Sequence, residues 1–205
     1  MYHGERFNSI SHLIGAALAL AGLVVLVVFA SLQGDPWKIV SFSIYGASLF
    51  LLYTLSTLYH SLRGRAKKIF MKLDHVAIYL LIAGSYTPLT LITLRGVWGW
   101  TLFGIIWGLA ILGIVVDSLH KEGARALQMA IYLLMGWLIL VAMYPLFQAL
   151  PAGALALLVL GGAFYTGGIV FYALDDRMKH AHGIWHLFVL AGSISHYLVM
   201  LLYVL

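Results

Sequence analysis

Long apolar segments alternate with short polar breaks along the whole 205-residue chain. A helix of about 20 apolar residues crosses a bilayer core, and the breaks separate seven segments of that length. They cover roughly residues 10–32, 39–62, 74–94, 97–119, 127–150, 152–174 and 182–205. Because the breaks are short, the pattern predicts an all-α bundle of seven transmembrane helices that forms one domain over residues 1–205.

The composition strengthens this prediction and limits the chemistry. Hydrophobic residues make up 63% of the chain and charged residues only 9%, which leaves no room for a soluble domain. The chain has no cysteine, so disulfides and thiolate metal sites are excluded. The net charge of +5 resides in short loops between apolar segments, which favours a membrane surface over nucleic acid as the partner.

The distribution of lysine and arginine predicts the orientation of the bundle. Two of these residues, Lys38 and Arg95, fall on one side. Ten fall on the side of the N-terminus: Arg6, Arg63, Arg65, Lys67, Lys68, Lys72, Lys121, Arg125, Arg177 and Lys179. Positive charge collects on the cytoplasmic side, so we expect a multi-pass protein of the inner (plasma) membrane with its N-terminus inside and its C-terminus outside.

Histidines concentrate on the side of the N-terminus. Eight of the nine fall there: His3, His12, His60, His75, His120, His180, His182 and His186. The pair in "HGIWH" is separated by one helical turn, a spacing that lets two imidazoles bind one ion. His60 ends another segment at about the same depth. Three histidine ligands would leave a fourth tetrahedral position open, which is typical of catalytic rather than structural zinc.

The ninth histidine, His196, follows His182 by 14 residues in the last segment. A helix rises 1.5 Å per residue, so His196 is expected about 21 Å deeper, on nearly the same face. That distance is too great for the same ion. We expect its ring to form a hydrogen bond with a neighbouring helix.

Further polar residues fall near the predicted metal ligands. Asp74 could take a proton from a water near the metal, or it could cap the third helix, and the two roles are compatible. Ser56 precedes His60 by one turn, and catalysis and close helix packing are equally good explanations for it. Glu5, Asn8 and His12 in "ERFNSISH" form one helical stripe, for which we favour a structural or supporting role around the metal ligands.

These stretches together resemble a known family. "ERFNSISH", "STLYH…KLD" and "HGIWH" are similar to the ExxNxxxH, SxxxH…D and HxxxH motifs of the PAQR family (progestin and adipoQ receptors), and "KLDHVAIYLLIAGSYTPL" looks like its third span. The chain most resembles the bacterial hemolysin III branch. The resemblance implies seven helices, an inward N-terminus and a Zn²⁺ held by His60, His182 and His186, with Asp74 and Ser56 near the water. Hormone sensing is not implied, because the long N-terminal region of the receptor members is lacking.

Three functions remain open at this point. The wider superfamily includes alkaline ceramidases, so the first is a zinc-dependent hydrolase acting on lipid amides or esters. The second is a sensor or regulator of membrane lipid composition with a structural zinc. The third is a pore-forming cytolysin, as the hemolysin name implies, although no line of charges runs through the spans. Membrane lipids are the expected partners, and the sequence does not define an oligomeric state.

Overall fold

Helices account for nearly all of the secondary structure. The structure, a computed structural model, describes residues 1–2, 4–119 and 125–205, and within these ranges it contains no strand. The helices are α1 (Arg6–Gln33), α2 (Pro36–Ser61), α3 (Gly64–Pro88), α4 (Val97–Leu119), α5 (Arg125–Trp137), α6 (Met143–Ala149), α7 (Ala152–Ala173) and α8 (Ala181–Val199). The predictions made for His3, His120 and Lys121 lie outside the described residues.

Three short helical segments complete the secondary structure. A π-helical turn, Leu89–Thr93, continues α3, and another, Met200–Val204, continues α8. A 3₁₀ turn, Leu138–Ala142, joins α5 to α6. Counted with these turns, seven helical segments of the described chain are long and apolar enough to cross a membrane. The predicted all-α, seven-span architecture is therefore confirmed, while its orientation in the membrane stays a prediction.

The third helix begins ten residues earlier than predicted. It starts at Gly64 rather than at Asp74, so the interpretation of Asp74 as a helix cap is wrong. The apolar pattern leaves residues 63–73 between two predicted segments, but lysine and arginine are good helix formers and their long stems can lie along an apolar surface. The earlier start places Asp74 inside the helix, where it is buried.

The fifth span is interrupted near its middle. The hydroxyl of Tyr86 accepts a hydrogen bond from the backbone nitrogen of Ile139 at 2.8 Å and lies 2.8 Å from the carbonyl oxygen of Met135, to which it donates. Pro145 has no N–H to offer the carbonyl of Val141. Both effects fall around the 3₁₀ turn between α5 and α6, and they explain why this span is not one continuous α-helix.

The packing of α1 shows how the bundle faces lipid. Its inner face is built mainly from small residues and its outer face from large ones, which lets neighbouring backbones approach closely in the membrane. Buried residues include Gly15, Ala16, Ala19, Gly22 and Ala30, and exposed ones include Leu13, Ile14, Leu18, Val24 and Val28. A Cβ atom on Gly15 would lie only 2.7 Å from the ring of Tyr53, so this helix crossing requires glycine.

Aromatic residues cluster at the end of the bundle away from the N-terminus. The rings of Trp37 and Trp100 pack edge to face with centroids 5.8 Å apart, and the guanidinium of Arg95 lies 4.6 Å from the ring of Trp37. Trp98 is about half exposed. Such a belt is expected at a membrane boundary. At the opposite end, the packing of α1 on α2 and α8, and of α2 on α3, brings the polar stretches together.

Candidate metal centre

Three histidines from two helices meet at the end of the bundle that holds the N-terminus. His60 lies in the last turn of α2, and His182 and His186 lie in the first two turns of α8. One ring nitrogen of each lies within 4.8 Å of the others. A tetrahedral zinc with bonds of about 2.05 Å would separate its ligand nitrogens by roughly 3.3 Å. One pair, Nε2 of His60 and Nε2 of His182, lies 3.2 Å apart, and no separation exceeds 4.8 Å, so the spacing is compatible with a single bound ion.

The Nδ1 atoms of two of these rings face carboxylates. Nδ1 of His60 lies 2.7 Å from Oε2 of Glu5, and Nδ1 of His182 lies 3.0 Å from Oδ2 of Asp175. A metal-binding histidine usually donates its other N–H to such a group, which fixes the tautomer and the direction of the ring. Both rings are therefore held with Nε2 free to bind an ion.

The third ring is oriented by α1. Nδ1 of His186 lies 3.2 Å from the carbonyl oxygen of Asn8 and 3.2 Å from Oγ of Ser11. The carbonyl can only accept, so the proton is assigned to Nδ1. Nε2 of His186 is buried and has no hydrogen-bond partner among the described residues.

These assignments direct three nitrogen lone pairs to one place. With the proton on Nδ1 in each neutral ring, every Nε2 carries a lone pair and no hydrogen. Nε2 of His60 and Nε2 of His182 lie only 3.2 Å apart, where two lone pairs repel each other. A cation bound between them would turn this repulsion into attraction, so the donor set fits a metal ion.

Glu5 anchors the ring of His60 from outside the first span. Its carboxylate also accepts hydrogen bonds from Lys67 at 2.7 Å and from Asn8 at 2.9 Å. Burial alone would raise the pKa of Glu5, but the hydrogen bonds to His60, Lys67 and Asn8 outweigh it and hold the pKa well below its usual value. Glu5 is therefore ionised at neutral pH, and the supporting role expected for Glu5 and Asn8 stays a prediction.

Asp175 orients His182, and the sequence reasoning missed it. It lies between α7 and α8 and accepts two hydrogen bonds from Arg125, at 2.8 and 2.5 Å. Burial raises its pKa, but the bonds to Arg125 and His182 lower it further, so the pKa falls below the usual value. The available signal was an acidic pair, "DD", in the short loop before the HxxxH helix. Ser11 was also missed.

Asp74 and Ser56 are buried side by side on neighbouring helices. Asp74 is 4% exposed and Ser56 is fully buried. The hydroxyl of Ser56 lies near the carboxylate of Asp74. Its geometry does not meet the criteria for a hydrogen bond with Asp74 or with any other described residue. Neither residue belongs to the group of three converging histidines. A chemical role for these two residues beside the histidines stays a prediction.

A cavity of about 130 Å³ lies inside the bundle. Asp74 and His12 contribute to its wall, together with Trp185, whose ring packs against that of His182 at 5.1 Å. The rest of the wall is mainly apolar and includes Leu81, Ile82, Leu133, Ile169 and Val189. Through Trp185 and His12, which pack on His182 and His186, the polar part of the wall lies next to the converging histidines, and the rest of the wall is apolar.

His196 also lines this cavity, well away from the three converging histidines. Its Nε2 lies 3.2 Å from the carbonyl oxygen of Leu158 on α7. The prediction that His196 forms a hydrogen bond with a neighbouring helix is confirmed. The cavity itself was not predicted, because its wall is drawn from residues far apart in the sequence.

The fold and the site define a class: seven-helix membrane proteins with a histidine group at one membrane face that could hold a metal ion. The chain belongs to the haemolysin-III-related family, which it matches over residues 1–197. It is 47% identical to Hemolysin-3 of Bacillus cereus over 202 residues, which cover 98% of this chain and 92% of that protein.

More distant relatives extend the comparison. The chain is 44% identical to the Hemolysin-3 homolog of Bacillus subtilis (strain 168), over 97% of this chain and 93% of that protein. It is 29% identical to the human monocyte to macrophage differentiation factor, over 89% of this chain and 78% of the human protein. The resemblance to the hemolysin III branch is confirmed, and the protein is a multi-pass membrane protein.

Proposed function

We propose that this protein is a zinc-dependent hydrolase of lipid amides or esters, acting at the cytoplasmic face of the plasma membrane. One observation carries the proposal. Three imidazoles converge, each oriented through Nδ1, beside a largely apolar cavity that has a buried aspartate in its wall. A purely structural metal site needs neither the aspartate nor the cavity.

His60, His182 and His186 would hold the ion. Imidazole suits zinc among the common metals, and three protein ligands leave one position open. When bound there, zinc would polarise the substrate carbonyl and lower the pKa of a nearby water to about 7. The carboxylates of Glu5 and Asp175 and the hydroxyl of Ser11 would keep the three rings in place.

Asp74 would act as the general base. Its carboxylate takes a proton from the attacking water, whose oxygen bonds to the carbonyl carbon. The bond from that carbon to the leaving nitrogen or oxygen then breaks, and Asp74 returns the proton to the leaving amine or alcohol. The hydroxyl of Ser56, which has no other partner among the described residues, would hold Asp74 by a hydrogen bond.

The apolar wall of the cavity would receive the hydrocarbon chain of the lipid. Apolar groups such as Leu81, Ile169 and Val189 favour a chain over a polar ligand. Asp74 lies in the same wall, so a chain in the cavity would place its carbonyl end near the aspartate. A lipid would enter sideways from the bilayer, because the cavity lies inside the membrane-spanning part of the bundle.

Fatty-acid release by the purified protein in detergent tests the proposal. We expect the zinc-loaded protein to release fatty acid from a panel of lipid amides and esters, and the chelator-treated protein to release none. If the wild type releases nothing, the sensor function with a structural metal replaces the hydrolase. If zinc-free protein makes liposomes leak dye, the pore function is favoured instead.

A further inference from the structure

The third span is longer than the core of a bilayer. Counted with its π-helical turn it covers 30 residues, Gly64–Thr93, which corresponds to a length of about 45 Å. The hydrocarbon core is only about 30 Å thick. Trp98 and Trp100 follow this span closely and mark a membrane boundary, so the excess length lies at the other end. We therefore expect residues 64–73 of α3 to lie in the layer of the lipid headgroups.

This extension of α3 has one exposed, basic side. Arg65, Lys68 and Lys72 are exposed and follow each other at i, i+3 and i+7, which places them on one side of the helix. Ile69 and Leu73 lie beside them and are 50% and 39% exposed. These five side chains are called the basic face below. Its cations and apolar groups match a surface that touches both headgroups and hydrocarbon.

The protein leaves the three cations of the basic face without a counter-charge. None of them forms an ion pair with a described residue. The neighbouring Lys67 is different, because it binds Glu5 at 2.7 Å and the hydroxyl of Tyr2 at 2.8 Å. Residues 63–73 contain five basic residues and no acidic one. The positive charge of this extension is therefore available to an anion from outside the protein.

Depth and charge together identify that anion. The phosphate of a phospholipid lies in the headgroup layer, and lysine and arginine near an anionic membrane surface are attracted to it. The upper part of the lipid's acyl chains would meet Ile69 and Leu73. A soluble polyanion would reach the cations from water but would give these two apolar side chains no partner.

We infer that the basic face binds the phosphate of an anionic phospholipid, such as phosphatidylglycerol, in preference to a zwitterionic phospholipid. The choline of a zwitterionic lipid offsets its phosphate charge, so the three cations gain less from it. Asp74 follows Arg65 by nine residues, or two and a half turns, and so lies on the opposite side of α3. The lipid site is thus separate from the candidate metal centre. The inference does not depend on the proposed hydrolysis.

A fluorophore on the basic face measures the preference directly. The chain has no cysteine, so Leu73→Cys provides a single attachment point beside the cations. The labelled full chain is placed in phosphatidylcholine nanodiscs that contain rising fractions of a quencher lipid. This lipid is phosphatidylglycerol or phosphatidylcholine with a nitroxide near the top of one acyl chain. The ratio of the two half-quenching fractions gives the preference for the anionic lipid.

Removing the three cations should remove the preference. Arg65→Gln/Lys68→Gln/Lys72→Gln keeps long side chains with good helix propensity. We expect the preference to fall about 5-fold or more, because each cation near an anionic surface contributes a factor of roughly five. Arg65→Lys/Lys68→Arg/Lys72→Arg keeps the charges and should keep the preference.

A matched control separates the basic face from the overall charge of the protein. Arg6, Arg177 and Lys179 are also exposed and belong to the same end of the bundle. Arg6→Gln/Arg177→Gln/Lys179→Gln therefore removes the same number of charges without touching the basic face. This variant should retain the wild-type preference.

Four results would overturn the inference. The first is a wild type that quenches equally with both lipids, and the second is an unchanged preference after removal of the three cations. The third is an equal fall in the control, which would mean that net charge alone attracts the lipid. The fourth is loss of the wild-type preference when an equimolar single-stranded DNA is added, which would indicate a soluble polyanion as the partner. If the triple variant does not fold, Lys68→Gln alone decides, and a wild-type preference in it contradicts the inference.

Discussion

The carboxylate of Asp175 lies 3.0 Å from Nδ1 of His182 and is itself held by the guanidinium of Arg125. Arg125 stands at the start of α5, and its guanidinium also lies 4.1 Å from the ring of Tyr172. The orientation of His182, one candidate metal ligand, thus depends on an ion pair between the loop that holds Asp175 and the first residue of α5. Neither partner of this pair belongs to the histidine motif.

Removing this carboxylate should weaken metal binding without removing a ligand. We expect Asp175→Ala to lower the zinc affinity about 10- to 100-fold, the usual effect of losing a group that orients a metal-bound histidine. Competition with a chelating dye measures it. Asp176→Ala is the matched control: that carboxylate is 87% exposed and contacts Arg125 at 3.2 Å, so its removal should leave the affinity nearly unchanged. Equal losses in both variants would contradict the role of Asp175.

The ligand set itself predicts the metal content of two histidine variants. Wild-type protein should carry about one zinc per chain, and His186→Ala should lose most of it because two ligands remain. His196→Ala should keep its zinc, since His196 lies about four helical turns beyond His182 in the same helix. Elemental analysis of purified protein gives the ratio. Full zinc occupancy in His186→Ala would show that the ligands are other residues.

Sequence patterns predicted much of this architecture, since seven apolar segments and the HxxxH spacing are local signals. Local signals did not reveal the early start of α3, where basic residues extend the helix beyond the apolar region. The role of Asp175 depends on the packing of a loop against α8, which no spacing records. The similar depth of His60 and the HxxxH pair in the predicted bundle suggested that they form one group, and the resemblance implied the same ligands.

The orientation prediction follows from the ten-to-two distribution of lysine and arginine. Reporter fusions at the two ends of the chain should report opposite compartments, with the N-terminal reporter in the cytoplasm. The candidate metal centre would then face the cytoplasm. A C-terminal reporter in the cytoplasm would contradict the predicted orientation. The prediction that the candidate metal centre faces the cytoplasm would then lose its basis.

Close packing between α2 and α3 predicts a stability effect at Gly84. A Cβ atom there would lie 2.3 Å from Oγ and 2.9 Å from Cβ of Ser48, so the two helices would have to separate. We expect Gly84→Ala to lower the free energy of unfolding by about 1–3 kcal/mol, as for other overpacked sites. Gly108→Ala is the control, because a Cβ at Gly108 meets nothing within 4 Å. Thermal unfolding in detergent compares them, and equal stability of the two variants would be evidence against the close helix contact.

The central claim is that a buried carboxylate beside a histidine-bound zinc performs hydrolysis, and Asp74→Asn tests it most directly. The substitution keeps the shape of the side chain but cannot accept a proton at neutral pH. The measurement is fatty-acid release from lipid amides and esters by purified wild type, Asp74→Asn and the control Asp176→Asn, at equal zinc content. The account predicts that Asp74→Asn retains its zinc and loses turnover by about 10²- to 10⁴-fold, while Asp176→Asn keeps wild-type activity. An Asp74→Asn protein that releases fatty acid as fast as the wild type, or a wild type that releases none, would contradict it.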